Sequence, residues 1–124
     1  MNYMNRPINH VNLSVPDLEK AVEFYTKTMG FEVKGRYTKG DSVFYFISDG
    51  TILYEMVEKA GIENAYVDHI AYDTVDFEKE KEEFRKMGVL TDIMGYADFI
   101  FENGMDYFFI KGPCGELIEF CHKR

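Results

Sequence analysis

The sequence predicts an α+β protein: two βαβββ modules forming a curved mixed sheet hollow, with one helix covering each module. Three observations carry this. The run Ile8-Asn9-His10-Val11-Asn12-Leu13-Ser14-Val15 returns 59 residues later as Val67-Asp68-His69-Ile70-Ala71-Tyr72-Asp73-Thr74, with a histidine at the matching point. Asp17 and Asp76, both suited to open a helix, are also 59 apart, and Met29-Gly30 and Met87-Gly88, both suited to end one, are 58 apart. Registers that agree this closely mark an internal duplication, which decides the fold before any single element does. The third observation is an aromatic share of 16%, all Phe and Tyr, residues that suit a pleated, half-buried surface. The copies bound the modules at about residues 7–58 and 66–122 of a single domain of residues 1–124.

Each element has a local reason. The polar stretch before residue 7 reads as frayed. In residues 8–15, Ile8, His10, Asn12 and Ser14 share one face, and Val11, Leu13 and Val15 the other, which is the period of a strand. Asp17 caps a helix through residue 29, with Leu18, Ala21, Val22, Tyr25 and Met29 as its apolar stripe and Gly30 as its terminator. Strands follow over residues 31–37, 42–48 and 51–57, the last two joined at Asp49-Gly50, a hairpin-turn dipeptide. Gly61 and Asn64 lie in the connection, and the order then restarts. A strand over residues 66–74 leads to a helix from Asp76 to Met87, closed by Gly88. Its run Glu78-Lys79-Glu80-Lys81-Glu82-Glu83 reads as a solvated face, with pairs such as Glu82 and Lys86 adding a few tenths of a kcal/mol, roughly. Residues 91–96 read as a strand continued by 97–101. Glu102-Asn103-Gly104 is a turn, and strands over 105–111 and 116–122 complete the copy.

Composition removes several functions. The chain carries 22 acidic and 14 basic residues, a net charge of −8, so it has no excess of cations for nucleic acid or an anionic membrane surface. No apolar run approaches the roughly 20 residues of a membrane span, and the N-terminus reads as lacking a signal segment. The two cysteines, Cys114 and Cys121, have no framework spacing and read as reduced thiols of a cytoplasmic protein.

The histidines pair with glutamates. The last strand of copy one holds Leu53-Tyr54-Glu55-Met56-Val57 and that of copy two Leu117-Ile118-Glu119-Phe120-Cys121. Desolvating a lone carboxylate costs several kcal/mol, so a glutamate amid core-type residues needs a partner. If the copies fold alike, His10, Glu55, His69 and Glu119 occupy corresponding places. Two imidazoles and two carboxylates suit a five- or six-coordinate divalent ion: Ni, Co, Zn, Fe or Mn. The third histidine, His122, has no counterpart and reads as solvated. Phe44, Phe46, Phe99, Phe101, Tyr107 and Phe109 read as core, with some left open as cavity wall.

At these residues the chain resembles the vicinal oxygen chelate superfamily, which includes glyoxalase I, methylmalonyl-CoA epimerase, fosfomycin resistance thiol transferases, extradiol dioxygenases and bleomycin resistance proteins. The likeness runs from residue 7 to 120 and rests on Ile8 to Val15, Ala21-Val22-Glu23-Phe24-Tyr25 with Met29-Gly30-Phe31, Asp68-His69-Ile70-Ala71, and Gly112-Pro113-Cys114-Gly115-Glu116-Leu117-Ile118-Glu119. The ligand order His, Glu, His, Glu is that of glyoxalase I. The epimerases carry Gln at the Glu55 position, and the thiol transferases and dioxygenases use His, His and Glu. The resemblance implies a metal-dependent lyase or isomerase with a small-molecule substrate. The metal would polarise a carbonyl oxygen, Glu119 would be the base and Glu55 its counterpart. It also implies a homodimer, with the ligands drawn from one chain or from two. Alternatives on the same fold are a non-catalytic antibiotic-binding protein and an oxygen-dependent dioxygenase. Bacterial glyoxalase I carries an arginine where this chain has Ser14 and an asparagine where it has Lys59, which counts against glutathione as cosubstrate.

Overall fold

The computed structural model describes residues 6–124, and it has the predicted α+β order twice over. The chain divides into two compact units, residues 10–68 and residues 69–124, the second joined by the described residues 6–9. In the first unit the elements are β1 (Ile8–Val15), α1 (Leu18–Glu23), β2 (Glu32–Lys39), β3 (Ser42–Ser48) and β4 (Leu53–Glu58), with strand order β2-β3-β4-β1. The second holds β5 (Tyr66–Asp73), α2 (Phe77–Lys86), β6 (Leu90–Ala97), β7 (Met105–Lys111) and β8 (Leu117–Lys123), in the order β5-β8-β7-β6. Within each unit the first strand pairs parallel with the fourth and the rest pair antiparallel.

Two cores form beneath the helices. Val15, Leu18, Ile47 and Met56 are buried in the first, joined by Leu13, Val22, Tyr25 and Phe31. Phe108, Ile110 and Phe120 are buried in the second, joined by Phe77, Phe84 and Ile118. Each such side chain contributes roughly 1.5–3 kcal/mol when buried. In both units these core residues alternate along the strands with the ligand candidates, so the helix side of the sheet is the apolar one.

Five expectations are corrected. The first helix changes character after Glu23, and Phe24–Thr28 forms a π-helical turn, with Met29 N–H donating to the Phe24 carbonyl at 3.1 Å. Thr26 Oγ1 donates to the Val22 carbonyl at 2.7 Å, taking the acceptor an α-helix would use. The wider turn carries Met29 off the apolar stripe, leaving it half exposed, and Phe31 packs against Tyr25 instead. On α2 the solvated run has one buried member, Glu80, only 1% exposed. It is ion-paired with Arg6, so Arg6 is anchored rather than frayed, while residues 1–5 lie outside the described residues. Glu82 pairs with Arg85 through two hydrogen bonds, not with Lys86. Strand β6 ends at Ala97, and residues 98–103 are a turn in which Phe101 has φ 56° and Ile100 is buried.

Candidate metal centre

The parity read in β1 holds, and its polar face is the better buried one. His10, Asn12 and Ser14 are all buried, whereas Val11 and Leu13 are only partly so. Pairing of β1 with β4 sets Asn12 beside Glu55, and pairing of β4 with β3 sets Phe46 on its other side. Asn12 Nδ2 donates to Glu55 Oε1, and His10 Nε2 stands 3.9 Å from that oxygen. The phenyl ring of Phe46 meets the His10 ring edge-on at 5.8 Å between centroids. The first unit therefore brings His10 and Glu55 together in a buried pair.

The second unit repeats the plan. Pairing of β5 with β8 sets Ala71 beside Glu119, and β7 sets Phe109 on the other side. His69 Nε2 and Glu119 Oε1 are 2.8 Å apart, and Phe109 meets the His69 ring edge-on at 4.9 Å. Here the second carboxylate oxygen is held differently: Cys121 Sγ donates to Glu119 Oε2 at 3.1 Å. All four expected ligands thus sit in two matching His–Glu pairs. Each imidazole–carboxylate pair offers nitrogen and oxygen donors of the type that divalent first-row metals take. A carboxylate oxygen already directed at an imidazole nitrogen costs little further ordering when both bind one ion.

Asn12 and Cys121 are the site residues that sequence reading missed as partners. Asn12 was on the right face, but only the β1–β4 register joins it to Glu55. Phe46 and Phe109, read as core, touch the histidines. His122 is exposed, as expected. The two cysteines are not joined in a disulfide: Cys114 is exposed and Cys121 buried. Lys59, in the place of the expected asparagine, donates to Tyr66 Oη at 2.5 Å, which holds its pKa above the ordinary lysine value.

A duplicated βαβββ unit with a His–Glu pair in each copy defines a class of protein rather than one activity. Residues 7–120 match the profile of the Glyoxalase/Bleomycin resistance protein/Dioxygenase superfamily, and the chain belongs to that superfamily. It is 32% identical over 131 residues to the uncharacterized protein YwbC of Bacillus subtilis (strain 168), covering 94% of this chain and 98% of that one. It is 36% identical over 80 residues to the metallothiol transferase FosB of Lysinibacillus sphaericus (strain C3-41), covering 64% of this chain and 53% of the relative. The fold is also that of a hypothetical protein from Bacillus halodurans C-125, with a TM-score of 0.77 at 19% identity over 97% of this chain and 96% of that one. Methylmalonyl-CoA epimerase from Mycobacterium tuberculosis shares it too, with a TM-score of 0.76 at 17% identity over 94% and 87%. Superfamily members bind small-molecule substrates, and divalent-metal dependence is typical among them. Among the described residues, no helix is long and apolar enough to cross a membrane.

Proposed function

We propose that the protein is a divalent-metal-dependent lyase or isomerase of glyoxalase type, with His10, Glu55, His69 and Glu119 as the ligands of one ion. The reading is carried by the duplicated His–Glu pairs, most directly by His69 Nε2 lying 2.8 Å from Glu119 Oε1 in a buried position. The ion would be Ni, Co, Zn, Mn or Fe, and when bound it would supply Lewis-acid polarisation of a substrate carbonyl. The protein's own part is proton transfer and orientation. Glu119 takes the proton from the carbon next to that carbonyl and returns it to the neighbouring atom, with Glu55 as its counterpart. Asn12 holds Glu55, Cys121 holds one oxygen of Glu119, and Phe46 and Phe109 keep the two imidazoles from turning. We further propose that it works in the cytoplasm as a homodimer; a monomeric mass by light scattering would rule the dimer out.

Metal analysis tests the ligand set. The purified protein should hold one divalent ion per chain, and His10→Ala or Glu119→Ala should lose it. Failure to take up any of the five metals overturns the reading. A second reading, thiol transfer, is favoured by the similarity to FosB. By the resemblance, that chemistry uses only His, His and Glu, so Glu55→Gln would keep its metal. Under the lyase reading Glu55→Gln removes the carboxylate counterpart of Glu119 and slows proton exchange beside the carbonyl, and Glu119→Gln abolishes it.

A further inference from the structure

The strand faces that carry these residues are lined with rings. In the first unit, Tyr37 meets Phe46 edge-on at 5.6 Å, and Phe46 in turn meets His10. Tyr37 lies across Gly35, where an added Cβ would stand 2.6 Å from the tyrosine hydroxyl. In the second unit, Tyr107 meets Phe109 edge-on at 6.2 Å, and Phe109 meets His69. Tyr107 lies over its strand partner Gly95, where a Cβ would stand 3.4 Å from the hydroxyl. The arrangement is similar in kind but not residue for residue. By register, Tyr107 corresponds to Phe44, yet in both units a tyrosine fills the space a glycine leaves. Phe46 and Phe109 are buried, whereas Tyr37 and Tyr107 are half-buried and keep ring surface exposed.

By register, the charged residues that share these faces with the four ligands stand at strand ends, the acids Glu32 and Asp73 among them. Between the strand ends, the residues sharing them are Asn12, Ser14 and Val57 on β1 and β4 and Val67, Ala71 and Cys121 on β5 and β8, besides the rings and glycines. The lysines of the same parity, Lys39, Lys111 and Lys123, each close a strand. A carboxylate or phosphoryl group on a substrate needs a fixed cation or converging N–H donors to offset its desolvation. A planar uncharged ring needs only apolar area and an edge-to-face partner.

We infer that the site takes a neutral substrate bearing an aromatic ring, its oxygen pair toward the histidines and glutamates and its ring against Tyr37 or Tyr107. This rests on the metal-centre reading and adds a substrate class to it. The test compares 2-hydroxyacetophenone with hydroxyacetone, the same hydroxyketone with and without the ring, by calorimetric titration into the metal-loaded protein. The ring should tighten binding by about tenfold or more. In the Tyr37→Leu, Tyr107→Leu double variant, shown by circular dichroism to be folded, most of that gain should vanish. Equal binding of the two ketones overturns the inference, as does a folded double variant that keeps the full gain. A carboxylate on the far side of the ring, as in 4-(hydroxyacetyl)benzoate, should weaken binding; if it strengthens binding, the neutral class is wrong. Metal uptake is measured first on the same preparation, so its failure bears on the ligand set alone. The ring comparison is then made on metal-free protein, where the tyrosines should still favour the ring.

Discussion

Glu55 and Glu119 occupy equivalent places in the duplication but are held by different donors. The amide of Asn12 serves Glu55 from the neighbouring strand, and the matching position on β5 is Ala71. The thiol of Cys121 serves Glu119 from two residues along its own strand. An amide N–H is a stronger donor than a thiol, and Glu55 leans on it the more, because His10 Nε2 stands 3.9 Å from Glu55 whereas His69 Nε2 reaches Glu119 at 2.8 Å. Asn12→Ala should therefore weaken metal binding by about tenfold, the usual range for losing a group that orients a ligand, while the fold survives. Competition with a chromophoric chelator measures this, and an unchanged affinity removes Asn12 from the centre. The His–Glu pairs themselves were legible in the sequence, because scarce histidines and misplaced glutamates recur at one period. The donors were not. Asn12 and Glu55 are 43 residues apart, and only strand register brings them together.

At the scale of elements, the chain ahead of β1 is stitched into the second unit. Arg6 Nη1 donates to the Asp73 carbonyl at 2.8 Å, its guanidinium lies 5.0 Å from the Phe120 ring centroid, and it pairs with Glu80 on α2. Asn9 Nδ2 reaches Asp73 Oδ1 at 2.8 Å, and Asp73 N–H donates to the Pro7 carbonyl at 3.0 Å. Glu80 has a second duty: its Oε2 accepts from the backbone N–H of Val75 at 2.6 Å and of Asp76 at 2.9 Å, tying down the entry to the helix. Removing one member of a buried pair strands the other charge, so Arg6→Ala should cost roughly 3–5 kcal/mol in urea unfolding. Replacing both Arg6 and Glu80 by Met should recover only part of that, because the two N–H groups then lose their acceptor. A cost below about 1 kcal/mol for Arg6→Ala would mark the pair as incidental. The sequence held a clue to Glu80 that charge counting passes over. It stands three residues after Phe77 and four before Phe84, both core, and so lies on the helix face that packs inward. Its partner was hidden, since Arg6 is far away in sequence. The π-helical turn was equally hidden, because apolar spacing alone cannot show that a threonine hydroxyl takes a helical acceptor.

At the scale of the whole molecule, 22 acidic residues against 14 basic ones make acid the informative stress. Asp106 is held below its ordinary value of 3.8, chiefly by two hydrogen bonds from Arg124, at 3.0 and 2.8 Å. Asp49 is lowered by the backbone N–H groups of Ile52 and Thr51, and Glu82 by Arg85, from 3.8 and 4.5 respectively. A carboxylate with a depressed folded pKa binds fewer protons folded than unfolded. Its contribution is complete above the unfolded value and disappears as pH falls through the folded one. Stability from these groups should therefore be flat from neutral pH to about 5 and decline from about 4 downward. Falling pH also relieves the repulsion of a chain carrying −8, which works the other way. The wild-type curve alone mixes the two effects, and a difference measurement separates them. Asp106→Asn should be slightly less stable than wild type at neutral pH, with a gap that closes below about pH 3, since the pair is exposed and contributes little in total. Urea midpoints measured between pH 7 and 2.5 for both proteins give the comparison. A gap that stays constant across that range would show that Arg124 does not hold the Asp106 carboxylate in solution.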